Sequence, residues 1–134
     1  MLKFNSLIPE LRVSNIEKSK EFYLKLGFKV MYERKEDKFY FLQLENNQIM
    51  IEEDLKEWKT GELEYPFGRG INLSMEVSNV DELYRKIKEE KLTIFEELKS
   101  KEYKVGNEIS YDKEFLIQDP DGYLLRFSED LGEK

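Results

Sequence analysis

Two short segments place polar and charged side chains at every second position. From Leu7 to Val13, Ile8, Glu10 and Arg12 alternate with Leu7, Pro9, Leu11 and Val13. From Ile71 to Val77, Asn72, Ser74 and Glu76 alternate with Ile71, Leu73, Met75 and Val77. A period of two is that of a strand with one face buried and the other turned to a groove. Glu10 and Glu76 on these faces, with Glu52 and Glu114 further along, could supply carboxylates for catalysis. One of them could serve alone as a general base on a C–H acid if burial raised its pKa. The usual catalytic partners are missing. With no histidine and no cysteine, the serines have no imidazole to activate them. Thiolate chemistry, disulfides and zinc–cysteine sites are excluded, and so is the commonest metal ligand. Phe67-Gly68-Arg69-Gly70 has spaced glycines, but it leads into a strand and reads as a hinge rather than a phosphate cradle.

The elements that carry these residues occur twice. Val13–Val30 and Val77–Ile94 both open on Val-Ser-Asn and run into helix-like stretches of equal length, 64 residues apart. An internal repeat of this kind governs the whole fold. In the first copy, Leu7–Val13 is a strand, and Asn15 caps a helix whose apolar face is Ile16, Phe22, Tyr23 and Leu26. Ser14 and Glu17 have capping-box spacing one residue earlier. Gly27 ends the helix. Strands follow at Phe28–Glu33, Lys38–Leu44 and Gln48–Glu52, with Asn46-Asn47 as the hairpin turn between the last two. The second copy repeats the order: strand Ile71–Val77, helix Asp81–Glu90, strands Leu92–Leu98, Lys113–Gln118 and Tyr123–Ser128. Asp119-Pro120-Asp121-Gly122 turns between the final pair. Lys99–Asp112, with Gly106-Asn107 inside it, is a long polar insertion and is expected to be a loop rather than a third helix. The expected organisation is one domain, 1–134, made of two repeats at about 5–53 and 70–129. The linker 54–69 joins them and carries Trp58, Tyr65 and Phe67, which either anchor it to the sheet or wall a binding groove.

Composition bounds the function. With 134 residues the chain can bury a real core. Its net charge of −7 repels phosphate backbones, which argues against nucleic acid as a partner. No apolar run is long enough to span a membrane, and the N-terminus lacks a signal-peptide pattern, so the expected compartment is the cytoplasm.

The double β-α-β-β-β order resembles the vicinal oxygen chelate superfamily, which includes glyoxalase I, extradiol dioxygenases, and fosfomycin and bleomycin resistance proteins. The resemblance covers roughly Leu7–Phe127. It rests on Leu11-Arg12-Val13-Ser14-Asn15 with Phe22-Tyr23 and Leu26-Gly27-Phe28, on Met75-Glu76-Val77-Ser78-Asn79, and on Asp119-Pro120-Asp121-Gly122-Tyr123. It implies an α+β glyoxalase/bleomycin resistance fold. In that fold two βαβββ modules form a curved mixed sheet, with helices on the convex side and a ligand in the concave cup. It also implies a homodimer, since pairing would cover exposed sheet edges.

Metal enzymes of the superfamily place one ligand on the first and last strand of each module. The matching positions here are Ile8, Glu52, Asn72 and Arg126. An alkyl group, one carboxylate, an amide and a fixed cation do not suit a divalent ion, so no metal and no cofactor is expected. Strand parity points Glu10, Arg12, Phe39, Phe41, Gln43, Glu52, Asn72, Ser74, Glu76, Leu124, Arg126 and Ser128 into the cup, and a Glu52–Arg126 ion pair is expected to replace the metal. The reading that follows is a metal-independent binding protein of the bleomycin-resistance type, an antibiotic-resistance function. It would sequester a cationic or aromatic small molecule, such as a bleomycin-like glycopeptide, at the dimer interface. Its candidate ligand-binding residues are Glu10, Arg12, Phe41, Glu52, Trp58, Tyr65, Phe67, Asn72, Glu76 and Arg126. A lyase, isomerase or transferase of the same superfamily with a displaced site, and a module binding a peptide or protein, stay open as alternatives.

Overall fold

The computed structural model describes residues 2–53 and 58–133. The chain divides into two compact units. The first comprises Met1–Phe67 with Asp119–Gly122, and the second comprises Gly68–Gln118 with Tyr123–Lys134.

In the first unit, β1 (Glu10–Val13) leads to α1 (Ile16–Leu26), followed by β2 (Lys29–Arg34), β3 (Phe39–Leu44) and β4 (Asn47–Glu53). The strands form a mixed sheet in the order β1-β4-β3-β2, with β1 parallel to β4 and the other pairs antiparallel. The helix starts where the sequence predicts. The Asn15 side chain accepts the Lys18 N–H at 3.1 Å, and Gly27 closes the helix in the left-handed conformation that favours glycine. Ile16, Phe22, Tyr23 and Leu26 are buried, as are Leu11, Val13, Tyr40, Leu42, Ile49 and Ile51 of the sheet. Each such side chain contributes on the order of 1.5–3 kcal/mol by leaving water.

The second unit repeats the pattern with β5 (Asn72–Glu76), α2 (Val80–Glu89), β6 (Ile94–Val105), β7 (Glu108–Gln118) and β8 (Leu124–Glu133). Its mixed sheet has the order β5-β8-β7-β6. Asn79 caps α2 as Asn15 caps α1. Met75, Val77, Val80, Leu83, Ile87, Phe115, Ile117, Leu125 and Phe127 form the core, with Phe115 and Phe127 stacked at 5.5 Å. The architecture is the expected α+β pair of βαβββ modules.

Four local expectations are corrected. Lys99–Asp112 is a hairpin, with β6 and β7 paired from Lys99↔Glu114 to Val105↔Glu108 around Gly106-Asn107. Its β6 half is mostly exposed, whereas Ile109–Lys113 of β7 are half-buried. The first hairpin turns at Glu45-Asn46, because Leu44 pairs with Asn47 and Glu45 takes the positive φ of 52°. The first strand begins only at Glu10, so Ile8 precedes the sheet. Parity points Phe39, Phe41 and Gln43 of β3 into an open cup. That face is instead aromatic and buried: Phe41 stacks on Tyr32 at 5.0 Å and meets Phe4 edge-on at 5.4 Å, while the Arg34 guanidinium lies 3.8 Å over Phe39.

The Asp119-Pro120-Asp121-Gly122 turn is buried within the first unit. Asp121 accepts the Ser14 N–H at 3.0 Å and its hydroxyl at 2.5 Å, and Asp119 accepts the Tyr23 hydroxyl at 2.7 Å. The Gly122 N–H closes the turn on the Asp119 carbonyl at 2.9 Å. Gly122 has φ +94°, and a Cβ there would stand 2.5 Å from the Pro66 Cβ. Glycine is therefore required by conformation and by space.

Candidate functional site

In the first unit, the charged residues of β1 and β4 meet because the parallel register sets Arg12 beside Glu52 and Glu10 beside Met50. Side chains paired in register share a face. Arg12 is ion-paired with Glu52, and Glu10 lies 3.8 Å from its guanidinium. The Arg12 and Glu52 side chains are only 10% and 13% exposed, so the pair is largely withdrawn from water. Trp58 lies with its ring centroid 5.8 Å from the Arg12 guanidinium carbon and is itself 85% exposed. This is cation–π distance. The partner of Glu52 is thus Arg12, in place of the Arg126 expected from sequence.

The other first-unit candidates lie as follows. Phe41 is buried under Phe4 and Tyr32. Tyr65 is joined to Pro66 by a cis peptide and is exposed, and the Phe67 N–H donates to the Asp121 carbonyl at 2.8 Å. The buried Asp119–Gly122 turn therefore contacts both linker aromatics.

In the second unit, Asn72 and Glu76 are exposed on β5, opposite Leu124 and Ser128 in register. Arg126 lies opposite Ser74 on one side and Leu116 on the other. It lines a cavity of about 210 Å³ together with Ser74, Tyr103, Val105, Ser110, Asp112, Glu114 and Ser128. Arg126 Nε is buried and has no hydrogen-bond partner among the described residues. The Tyr103 hydroxyl donates to Glu114 Oε1 at 2.5 Å, and Glu114 is only 4% exposed. Burial, and then that hydrogen bond, push the Tyr103 phenol above its usual pKa. Burial, reinforced by Asp130 and Glu114, pushes the Asp112 carboxyl up. Tyr103, Val105, Ser110 and Asp112 escaped the sequence reading because their segment looked like a loop. Gly106-Asn107, a two-residue turn between stretches of matched length, was the signal that could have found them.

The four positions that bear metal in enzymes of this fold do not fit a divalent ion. Ile8 offers no donor, Glu52 is committed to Arg12, Asn72 offers an amide, and Arg126 brings a permanent positive charge. Among the described residues, no group of three or more metal-ligating carboxylates is placed to hold one.

Two βαβββ units, each with a capped helix on one face of a mixed sheet, define the class. The chain belongs to the Glyoxalase/Bleomycin resistance protein/Dioxygenase superfamily, whose family model matches residues 4–127. A superfamily member from Vibrio splendidus is 35% identical over 92% of this chain and 97% of its own, with a TM-score of 0.44. A glyoxalase/bleomycin resistance protein/dioxygenase from Alicyclobacillus acidocaldarius is 19% identical, covering 95% of this chain and 92% of its own, with a TM-score of 0.68. TioX from a Micromonospora species is 16% identical over 96% of this chain and 100% of its own, with a TM-score of 0.73. The last two share the fold. No curated protein matches the chain. No helix among the described residues is long and apolar enough to cross a membrane.

Proposed function

We propose that the protein is a metal-independent small-molecule binding protein of the bleomycin-resistance type. It sequesters a cationic or aromatic ligand in a groove at a homodimer interface. The observation that carries this reading is the commitment of Glu52, the single carboxylate at the four metal positions, to Arg12. A pair this desolvated is costly to break, because either partner alone would be a buried uncompensated charge. Two further features support it. Exposed Trp58 beside Arg12 offers a stacking face for a flat heteroaromatic ring, and the net charge of −7 attracts cations at low ionic strength.

The test is calorimetric titration of EDTA-treated protein with metal-free bleomycin at low salt. The expected result is saturable binding near one drug per chain, weakened by Trp58→Ala. Binding that appears only after a divalent metal is added, or no binding at all, sinks the proposal.

A further inference from the structure

The cavity of the second unit gathers one guanidinium and two carboxylates. Arg126 acts on both Tyr103 and Asp112, yet its buried Nε has no hydrogen-bond partner among the described residues. A buried donor calls for an acceptor, and a guanidinium is best matched by a carboxylate oxygen. Asp112 and Glu114 line the same cavity, with Asp130 opposite Asp112 in the β7–β8 register. Glu114 already accepts one hydrogen bond from Tyr103 and, as a carboxylate, has room for more. Like charges gathered close together favour a cation between them.

One guanidinium facing two lining carboxylates leaves a formal surplus of one negative charge. A simple anion is repelled by Asp112 and Glu114, and a simple cation leaves the buried Arg126 Nε without an acceptor. A ligand carrying both charges satisfies both sides. The volume of about 210 Å³ accommodates a small ligand. Val105 offers an apolar patch of wall, and the hydroxyls of Ser74, Ser110 and Ser128 supply adaptable donors and acceptors around it.

We propose that this cavity binds a small zwitterion of the free amino acid type, with Arg126 taking the carboxylate and Asp112 and Glu114 taking the ammonium. The inference rests on the metal-independent binding reading and names a ligand class for the second unit.

The experiment titrates EDTA-treated protein with L-alanine, L-valine, L-serine and L-glutamine, each beside its deaminated acid and its decarboxylated amine. At least one amino acid binds saturably near one per chain, and its one-ended counterparts bind at least about tenfold more weakly. Asp112→Asn weakens binding of the amino acid and the amine but not the acid. Arg126→Gln weakens the amino acid and the acid but not the amine. Asp112→Asn removes a carboxylate whose ionised form burial disfavours, so it is expected to fold and carries the test even if Arg126→Gln does not. No saturable binding up to about 10 mM, equal binding of the one-ended counterparts, or indifference to Asp112→Asn overturns the assignment. If the amino acids fail while metal-free bleomycin binds, this inference falls and the broader reading stands. If every ligand needs added metal, the broader reading falls.

Discussion

Tyr23→Phe removes a single oxygen from the centre of the first unit. Tyr23 is fully buried, and its hydroxyl donates to Asp119 at 2.7 Å. Its ring makes edge contacts with Phe22 at 5.2 Å and Phe28 at 5.4 Å, which phenylalanine keeps. The substitution therefore creates no large cavity. What is lost is a short hydrogen bond to a carboxylate that is only 3% exposed, and what remains is a buried acceptor short of one donor. Hydrogen bonds to charged groups contribute about 1.5–3 kcal/mol. For a chain of this length, each kcal/mol moves the unfolding midpoint by roughly 3–5 °C. The expected fall is thus about 5–15 °C, with an unchanged urea m-value. Tyr40→Phe is the internal control. The Tyr40 hydroxyl donates to Glu17 at 2.9 Å, but the Glu17 side chain is 65% exposed and water replaces the lost donor. That variant should lose less than about 1 kcal/mol. Equal effects of the two variants, or a loss below about 0.5 kcal/mol for Tyr23→Phe, would refute the claim that Tyr23 holds the buried turn.

Other perturbations follow from the same geometry. Arg12→Ala leaves Glu52 largely buried without its cation and should cost about 3–5 kcal/mol in urea unfolding. The double variant Arg12→Met with Glu52→Leu should regain much of that loss, and failure to do so would mean the pair is not what Arg12 contributes. Gly122→Ala combines a φ of +94° with a Cβ 2.5 Å from Pro66 Cβ, so a loss of at least about 2 kcal/mol is expected in thermal unfolding; a neutral result would show that the turn can relax. Asp112 is held above its usual pKa of 3.8 by burial first, then by Asp130 and Glu114. Its contribution to stability is therefore complete below about pH 3.8 and is lost as pH rises through the folded pKa. Asp112→Asn should consequently be more stable than the parent at pH 7, with the gain vanishing as pH falls towards about 4. A gain independent of pH would discard the electrostatic explanation.

The fold was legible because local and long-range signals agreed. Asn15 and Asn79 cap both helices, Gly27 stops the first, and Leu11 and Val13 are buried as their alternation requires. Parity also placed Phe39, Phe41 and Gln43 correctly, since they pair with Glu52, Met50 and Gln48. Parity assigns a face but cannot say what covers it. Phe4, outside every strand, closes over Phe41. The ion pair was misassigned because equivalence between repeats suggested Arg126 for Glu52, whereas the parallel β1–β4 register gives it Arg12. The long hairpin was missed because its few apolar residues are scattered among charged ones, and four residues of the second cavity, Tyr103, Val105, Ser110 and Asp112, were missed with it.

The first unit is discontinuous along the chain: Asp119–Gly122 belong to it, and 51 residues separate them from Phe67. On the ribosome, at about 5–20 residues per second, roughly 3–10 s pass between synthesis of the two parts. During that interval Tyr23 and Ser14 have no carboxylates from the turn to bind, and Phe67 has no carbonyl from Asp121. The N-terminal half thus waits for the C-terminal half before its own interior can close, and a nascent chain stalled just before Asp119 should remain open to protease where one extended past Gly122 resists.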